Sequence, residues 1–149
     1  MQVKEVMTAD PACCTSENGL QEVAQMMVDN DCGEIPVVEN KENNLPVGVI
    51  TDRDIVCRTI ARGLNPLDLM VADCMSKPCV TVTPDMSVEE CCRIMEENQI
   101  RRVPVVDADG SCCGIVALAD IVLHTKGSVA TEVIKEVSEP SVAASAAGK

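Results

Sequence analysis

The chain has 149 residues, 46% of them hydrophobic, and 24 acidic against 12 basic side chains give a formal charge of −12. That apolar share is too high for a disordered chain, and the length suits one domain or two small ones. The charge argues against nucleic acid as a main partner, no apolar run nears the roughly 18 residues of a membrane span, and no signal-peptide core follows Met1, so a cytoplasmic location is expected.

The predicted elements come in one order, twice. A first strand is expected around Ala12 to Thr15. Leu20, Val23, Ala24 and Met27 then recur at i, i+3, i+4 and i+7, one face of a helix. A β-branched run from Ile35 to Val38, a polar turn from Asn40 to Asn44 and a second run from Val47 to Thr51 predict a hairpin. Pro36 has no N–H, so its strand should lie at an edge or carry an irregularity. A second helix begins near Asp52. Gly63 and Asn65-Pro66 punctuate its end.

A shift of 68 residues then lays Met7 on Met75, Met27 on Met95 and Ile35-Pro36-Val37-Val38 on Val103-Pro104-Val105-Val106. At a shift of 66, Gly48-Val49-Ile50-Thr51 meets Gly114-Ile115-Val116-Ala117, and Asp54 meets Asp120. The second copy therefore predicts a strand at Val80 to Thr83 and a helix with Val88, Cys91, Cys92 and Met95 inward. Ser87 and Glu90 fit a capping box there. A hairpin, with Pro104 in its first strand, and a helix from Leu118 follow. The units are placed at 1–66 and 73–127, with a linker at 67–72. Residues 128–149 read as a short helix (Val129, Val133 and Val137 on one face) and a flexible tail.

Phe, Tyr and Trp are all absent, so no ring can stack on a base. The ten cysteines lack the paired spacings of zinc sites, and six of them sit in adjacent pairs. They align with aliphatic residues of the other copy, as Cys91 and Cys92 do with Val23 and Ala24, which suits core filling. Cys74 and Cys79 are expected to be the most exposed. No nucleophile–base–orienter set or phosphate loop is present, so no enzymatic activity is expected.

Val6-Met7-Thr8 and Cys74-Met75-Ser76, the two Pro-Val-Val strands, Gly48-Val49-Ile50-Thr51-Asp52-Arg53-Asp54 and Gly114-Ile115-Val116-Ala117-Leu118-Ala119-Asp120 together resemble the CBS (cystathionine β-synthase) domain. The whole resembles a tandem CBS pair, or Bateman module. The resemblance implies an α+β (α/β) fold of two β-α-β-β-α units packed as a pseudo-twofold pair with two clefts. It also implies a regulatory adenosine-containing ligand (AMP, ATP, S-adenosylmethionine or NAD) with no required cofactor, a homodimer, and an effector protein that signals onward.

The family's ribose-and-phosphate motif, Ser/Thr-x-x-Asp, is matched by Thr51, Arg53 and Asp54, although Thr-x-x-Asp also fits a helix cap. In the second copy Ala117 replaces the hydroxyl residue before Asp120. Arg101 and Arg102 are candidate phosphate ligands, or a solvated pair answering Glu96 and Glu97. They align with Gly33 and Glu34, and Glu34 should repel a phosphate, so unequal clefts are expected. Arg53 and Arg58 could supply charge from the first copy. Ile35, Pro36, Val103 and Pro104 would wall an adenine, and Thr83 would join the site. Two other readings are a cysteine-based redox or metal-responsive module, and a structural dimerisation unit with decayed ligand sites.

Overall fold

The computed structural model describes residues 1–124. The elements run β1 (Thr8–Ala9), β2 (Cys14–Thr15), α1 (Leu20–Asp29), β3 (Glu34–Val38), β4 (Pro46–Thr51), α2 (Asp52–Arg58), α3 (Val71–Cys74), α4 (Val88–Asn98), β5 (Arg102–Val106), β6 (Cys112–Ala117) and α5 (Leu118–His124). Single 3-10 turns lie at Val3–Glu5, Ile60–Arg62 and Pro66–Asp68. The expected α+β class and the doubled unit are both present. The helix and tail expected from residue 128 lie outside the described residues.

Two three-stranded sheets form, in the orders β2-β3-β4 and β1-β6-β5. The hairpins have matching registers: Pro36 faces Val49 in one, and Pro104 faces Ile115 in the other. Each register shifts by a residue, between Val37 and Val38 and between Val105 and Val106. The proline strands thus carry the expected irregularity, yet Pro36 does not mark an edge, because β3 is central. The N–H and C=O of Val49 turn away to Ser76, so the nitrogen of Pro36 faces β2, whose pairing starts only at Val37. No ladder bond is lost there. In the second copy the predicted strand at Val80 to Thr83 shrinks to one parallel bridge, Val82 to Val105. Val82 donates to Pro104 O at 3.0 Å and accepts from the Val106 N–H at 2.8 Å. Pro104 offers a carbonyl and nothing more, so the ladder ends there.

Helix α4 buries Val88, Cys91, Cys92 and Met95 as its spacing predicts, while α1 buries Leu20, Val23 and Met27 but leaves Ala24 exposed. Ser87 Oγ accepts the Glu90 N–H at 3.1 Å. The reciprocal half of that capping box is missing. The carboxylate of Glu90 pairs instead with Arg93, while the N-terminal segment bonds on either side of Ser87, Val3 N–H to Met86 O at 2.9 Å and Val88 N–H to Met1 O at 3.0 Å.

Each core takes a segment from the opposite repeat. Val3 and Val6 pack with Val88, Met95, Val103 and Ile121 of the second unit, while Val71, Cys74 and Met75 pack with Leu20, Val23, Ile35 and Ile50 of the first. The crossing chains pair at equivalent places: Thr8 with Ile115, and Ser76 with Val49. The glycines of the repeated Gly-x-x motif make room for them. A Cβ on Gly48 would stand 2.5 Å from both Ser76 O and Met75 Cε, and one on Gly114 would stand 2.6 Å from Met7 Sδ.

Candidate ligand cleft

The two strand-to-helix turns were expected to serve two sites, and they are built differently. At the β4–α2 turn, Thr51 Oγ1 accepts the Asp54 N–H at 3.0 Å and Asp54 Oδ2 accepts the Thr51 N–H at 3.1 Å, a complete capping box. The rest of that carboxylate is also engaged. Ser76 Oγ lies 3.3 Å from both oxygens, and Arg58 Nε stands 3.7 Å from Oδ1. Arg58 Nη1 donates as well to Cys74 O at 3.0 Å and Met75 O at 2.9 Å, tying α2 to the crossing segment. The Asp54 side chain is left 14% exposed.

At the β6–α5 turn, Ala117 has no hydroxyl to offer, and Asp120 Oδ2 accepts the Ala117 N–H at 3.0 Å. His124 stands where the first copy has Arg58, but its Nδ1 lies 2.8 Å from the backbone oxygen of Asp120 and not from the carboxylate. Thr8 stands where the first copy has Ser76. Asp120 and Thr8 instead line one cleft of about 500 Å³.

Both repeats build this cleft: the strand leading from Thr8 to Ala12, the entry to β3 at Glu34 and Ile35, and Arg102, Ile115, Ala117 and Asp120 of the second unit. Ile35, Ile115 and Ala12 supply apolar wall. Glu34 Oε2 is a buried atom with no hydrogen-bond partner among the described residues. Burial pushes the Glu34 carboxyl up to about 7, with Arg102 pulling against the rise and Asp54 adding to it. Glu34 and Arg102, aligned in sequence and expected to serve opposite clefts, therefore meet in one. Arg102 also borders an open depression with Arg101, Leu118 and Leu123, and another with Gly33 and Asp52.

Of the remaining predicted residues, Thr51, Arg53 and Asp54 line none of these three depressions, and Arg53 is exposed on the first turn of α2. Pro36, Val103 and Pro104 are buried within their strands, whereas Thr83 is exposed before the turn into α4. Thr8, Asp10 and Asp31 line the cleft without having been singled out as site residues. Thr8 did stand in the repeated Met-Thr/Ser segment. The two aspartates adopt left-handed backbone (φ 50° each), a turn geometry that pattern alone does not reveal.

Cys74 is buried, 1% exposed, because α3 plugs the first core; Cys57 on α2 is the exposed thiol. Burial raises the Cys91 thiol to about 12, and burial with the nearby Glu34 does the same for Cys79. Cys13 and Cys112 touch across the seam between the units beside Val38. The hydrogen bond between their thiols draws Cys13 below the usual thiol range and pushes Cys112 above it. Among the described residues no three His, Cys, Asp or Glu side chains converge as a metal site would require, and no helix is long and apolar enough to cross a membrane.

The CBS domain family model matches residues 3–58 and again 71–126. The chain belongs to the CBS-domain family, as a tandem pair. It is 38% identical over 122 residues to the CBS domain-containing protein YhcV of Bacillus subtilis, covering 82% of this chain and 84% of that one. It is 35% identical over 131 residues to the uncharacterized protein MK0525 of Methanopyrus kandleri, covering 88% of this chain and 66% of that longer protein. Among solved structures, Hypoxic Response Protein I with two coordinated zinc ions superposes with a TM-score of 0.74 at 32% identity, over 85% of this chain and all of that one. The CBS pair of MJ0100, in complex with 5′-methylthioadenosine and S-adenosyl-L-methionine, shares the fold with a TM-score of 0.73 at 24% identity, over 83% of this chain and 98% of that one.

Proposed function

We propose that the protein is a non-enzymatic regulatory CBS pair whose Asp120 cleft binds an adenosine-containing ligand such as AMP, ATP, S-adenosylmethionine or NAD. One observation carries this reading: the Asp120 carboxylate faces an apolar-walled cleft with one oxygen on the helix cap and the other uncommitted among the described residues. A carboxylate so placed accepts hydrogen bonds from a ribose diol, and the aliphatic walls suit an adenine in a protein without aromatic rings. The family's tandem architecture can hold adenosyl compounds, as the MJ0100 complex illustrates for that protein.

A ligand here touches both repeats, so it favours one arrangement of the two units over another. That differential affinity is what a signal to an effector protein requires. Val56 and Ile60 on and after α2, and Leu123 on α5, are exposed apolar residues that suit a homodimer contact. The test starts with the purified chain. Having no Trp or Tyr, it absorbs little near 280 nm, so a co-purified purine dominates its ultraviolet spectrum and can be released with acid and identified by mass. Titration calorimetry with adenosine, AMP, ATP, S-adenosylmethionine and NAD follows. Binding that Asp120→Ala weakens at least tenfold, and Asp54→Ala does not, supports the reading; no binding of any of them at millimolar concentration overturns it.

The contact between Cys13 and Cys112 favours a second reading, a thiol-responsive module. Thiol labelling of the native protein in which Cys57 alone reacts would remove it.

A further inference from the structure

From the charges that line the Asp120 cleft we infer that it selects adenosyl compounds whose 5′ substituent is uncharged or cationic, and discriminates against nucleotides bearing phosphates. This rests on the cleft being the ligand site. Among the described residues, Asp10, Asp31, Glu34 and Asp120 place four carboxyl groups on the lining, with Arg102 the one basic residue. Arg102 stands close enough to Glu34 to oppose the rise in that acid's pKa, so its charge is shared between Glu34 and any ligand. Arg101, the other candidate phosphate ligand, is exposed and lines the neighbouring open depression, outside the cleft.

A ligand entering the cleft therefore meets net negative charge. Like charges held a few ångströms apart in a partly dehydrated site repel strongly, so each phosphate added to adenosine should weaken binding. A sulfonium or amine meets the same carboxylates as attraction. Glu34 adds to the selection where it is ionised, above about pH 7: among the described residues its buried Oε2 has no hydrogen-bond donor, so a positive charge or N–H brought into the cleft is favoured beside it and a phosphate is not. Asp10 and Asp31, on left-handed turns, are exposed and present the same sign to an arriving ligand.

The experiment is calorimetry of the full chain at about pH 8, where Glu34 is ionised, with adenosine, 5′-methylthioadenosine, S-adenosylmethionine, AMP and ATP at low and high potassium chloride. Adenosine and methylthioadenosine should bind at least tenfold tighter than AMP, with ATP weaker still and S-adenosylmethionine no weaker than methylthioadenosine. Raising the salt should narrow the gap between adenosine and AMP, because screening weakens repulsion between partly exposed charges. In the Asp31→Asn/Glu34→Gln double variant the same gap should shrink at least tenfold. AMP or ATP binding more tightly than adenosine, or a gap that neither salt nor the double variant alters, overturns the selectivity while leaving the ligand site standing. If no adenosyl compound binds, the ligand reading itself fails, and the selectivity with it.

Discussion

The turn at Thr51–Asp54 and the turn at Ala117–Asp120 occupy equivalent places in the two repeats, and the better motif is the more self-contained. Asp54 has the hydroxyl partner the family pattern asks for, and it also receives Ser76 Oγ and Arg58 from its own chain. Asp120 lacks the hydroxyl, and the residues standing in for Ser76 and Arg58, namely Thr8 and His124, leave its carboxylate alone. A Thr-x-x-Asp motif is competent both to cap a helix and to hold a ribose. What separates the two uses is whether a third side chain has already reached the acid. That depends on the crossing segment, whose side chain is Ser76 in one unit and Thr8 in the other.

The largest effect expected from breaking this asymmetry is at the glycines under the crossing segments. Gly48→Ala would place a Cβ 2.5 Å from the backbone oxygen of Ser76, which cannot swing aside. Gly114→Ala meets Met7 Sδ at 2.6 Å, at the flexible part of a side chain, and the backbone oxygen of Thr8 at a more tolerable 3.1 Å. Urea unfolding should show Gly48→Ala costing about 3 kcal/mol or more and Gly114→Ala about 1 kcal/mol. Equal costs would mean that the two crossings are equally rigid.

Glu34 comes next. Its carboxyl titrates near 7 in the folded protein against 4.5 for the free group, because burial disfavours the charged form; Arg102 opposes the rise, Asp54 adds to it, and Cys79 lies within its field. Between about pH 4.5 and 7 the unfolded chain ionises Glu34 while the folded chain keeps it protonated. From this group, then, stability is full below the lower value and falls as pH rises towards 7, by no more than about 3 kcal/mol. Glu34→Gln should flatten that slope and make the protein more stable than the parent at pH 8. A parent that grows steadily more stable between pH 5 and 8, with Glu34→Gln unchanged from it, contradicts this account.

The two aspartates themselves should differ in a smaller way. Asp54→Ala removes half a capping box and the partner of Ser76 and Arg58, worth about 1 to 2 kcal/mol. Asp120→Ala loses one backbone hydrogen bond at an open turn, about 0.5 to 1 kcal/mol. Thermal denaturation of the two variants side by side decides the order, and the opposite order would mean that the second turn is the more tightly built.

How much of this was legible in the sequence follows from the range of the interaction concerned. The repeat, the hairpins and the inward face of α4 are local patterns, and the chain writes them out twice. The crossing segments are not local. Val71, Cys74 and Met75 read as the approach to the second unit, yet they fill the first core, which is why Cys74 is buried and not exposed. Pro36 read as the sign of an edge or an irregularity; the irregularity is there, but nothing in the sequence tells that Val49 turns its backbone towards Ser76 and lets the proline strand lie in the middle of its sheet. Glu34 and Arg102 align with each other, which reads as one residue for each of two clefts. Their meeting in a single cleft is set by how the two units pack together.

A competition within one helix sets the start of α4, where the smallest effects are expected. Ser-x-x-Glu is the sequence signature of a capping box, and half of it forms: Ser87 Oγ holds the Glu90 N–H. The returning half requires Glu90 to reach the Ser87 N–H, but its carboxylate pairs instead with Arg93 one turn along the same helix. Ser87→Ala should therefore cost about 1 kcal/mol, as loss of an N-cap does, while Glu90→Ala should cost less than about 0.5 kcal/mol, the worth of an exposed ion pair. Arg93→Ala releases the Glu90 carboxylate, and in that background Glu90→Ala should become the costlier change because the full box can close. If Glu90→Ala costs the same in both backgrounds, the pairing with Arg93 is not what keeps the box open.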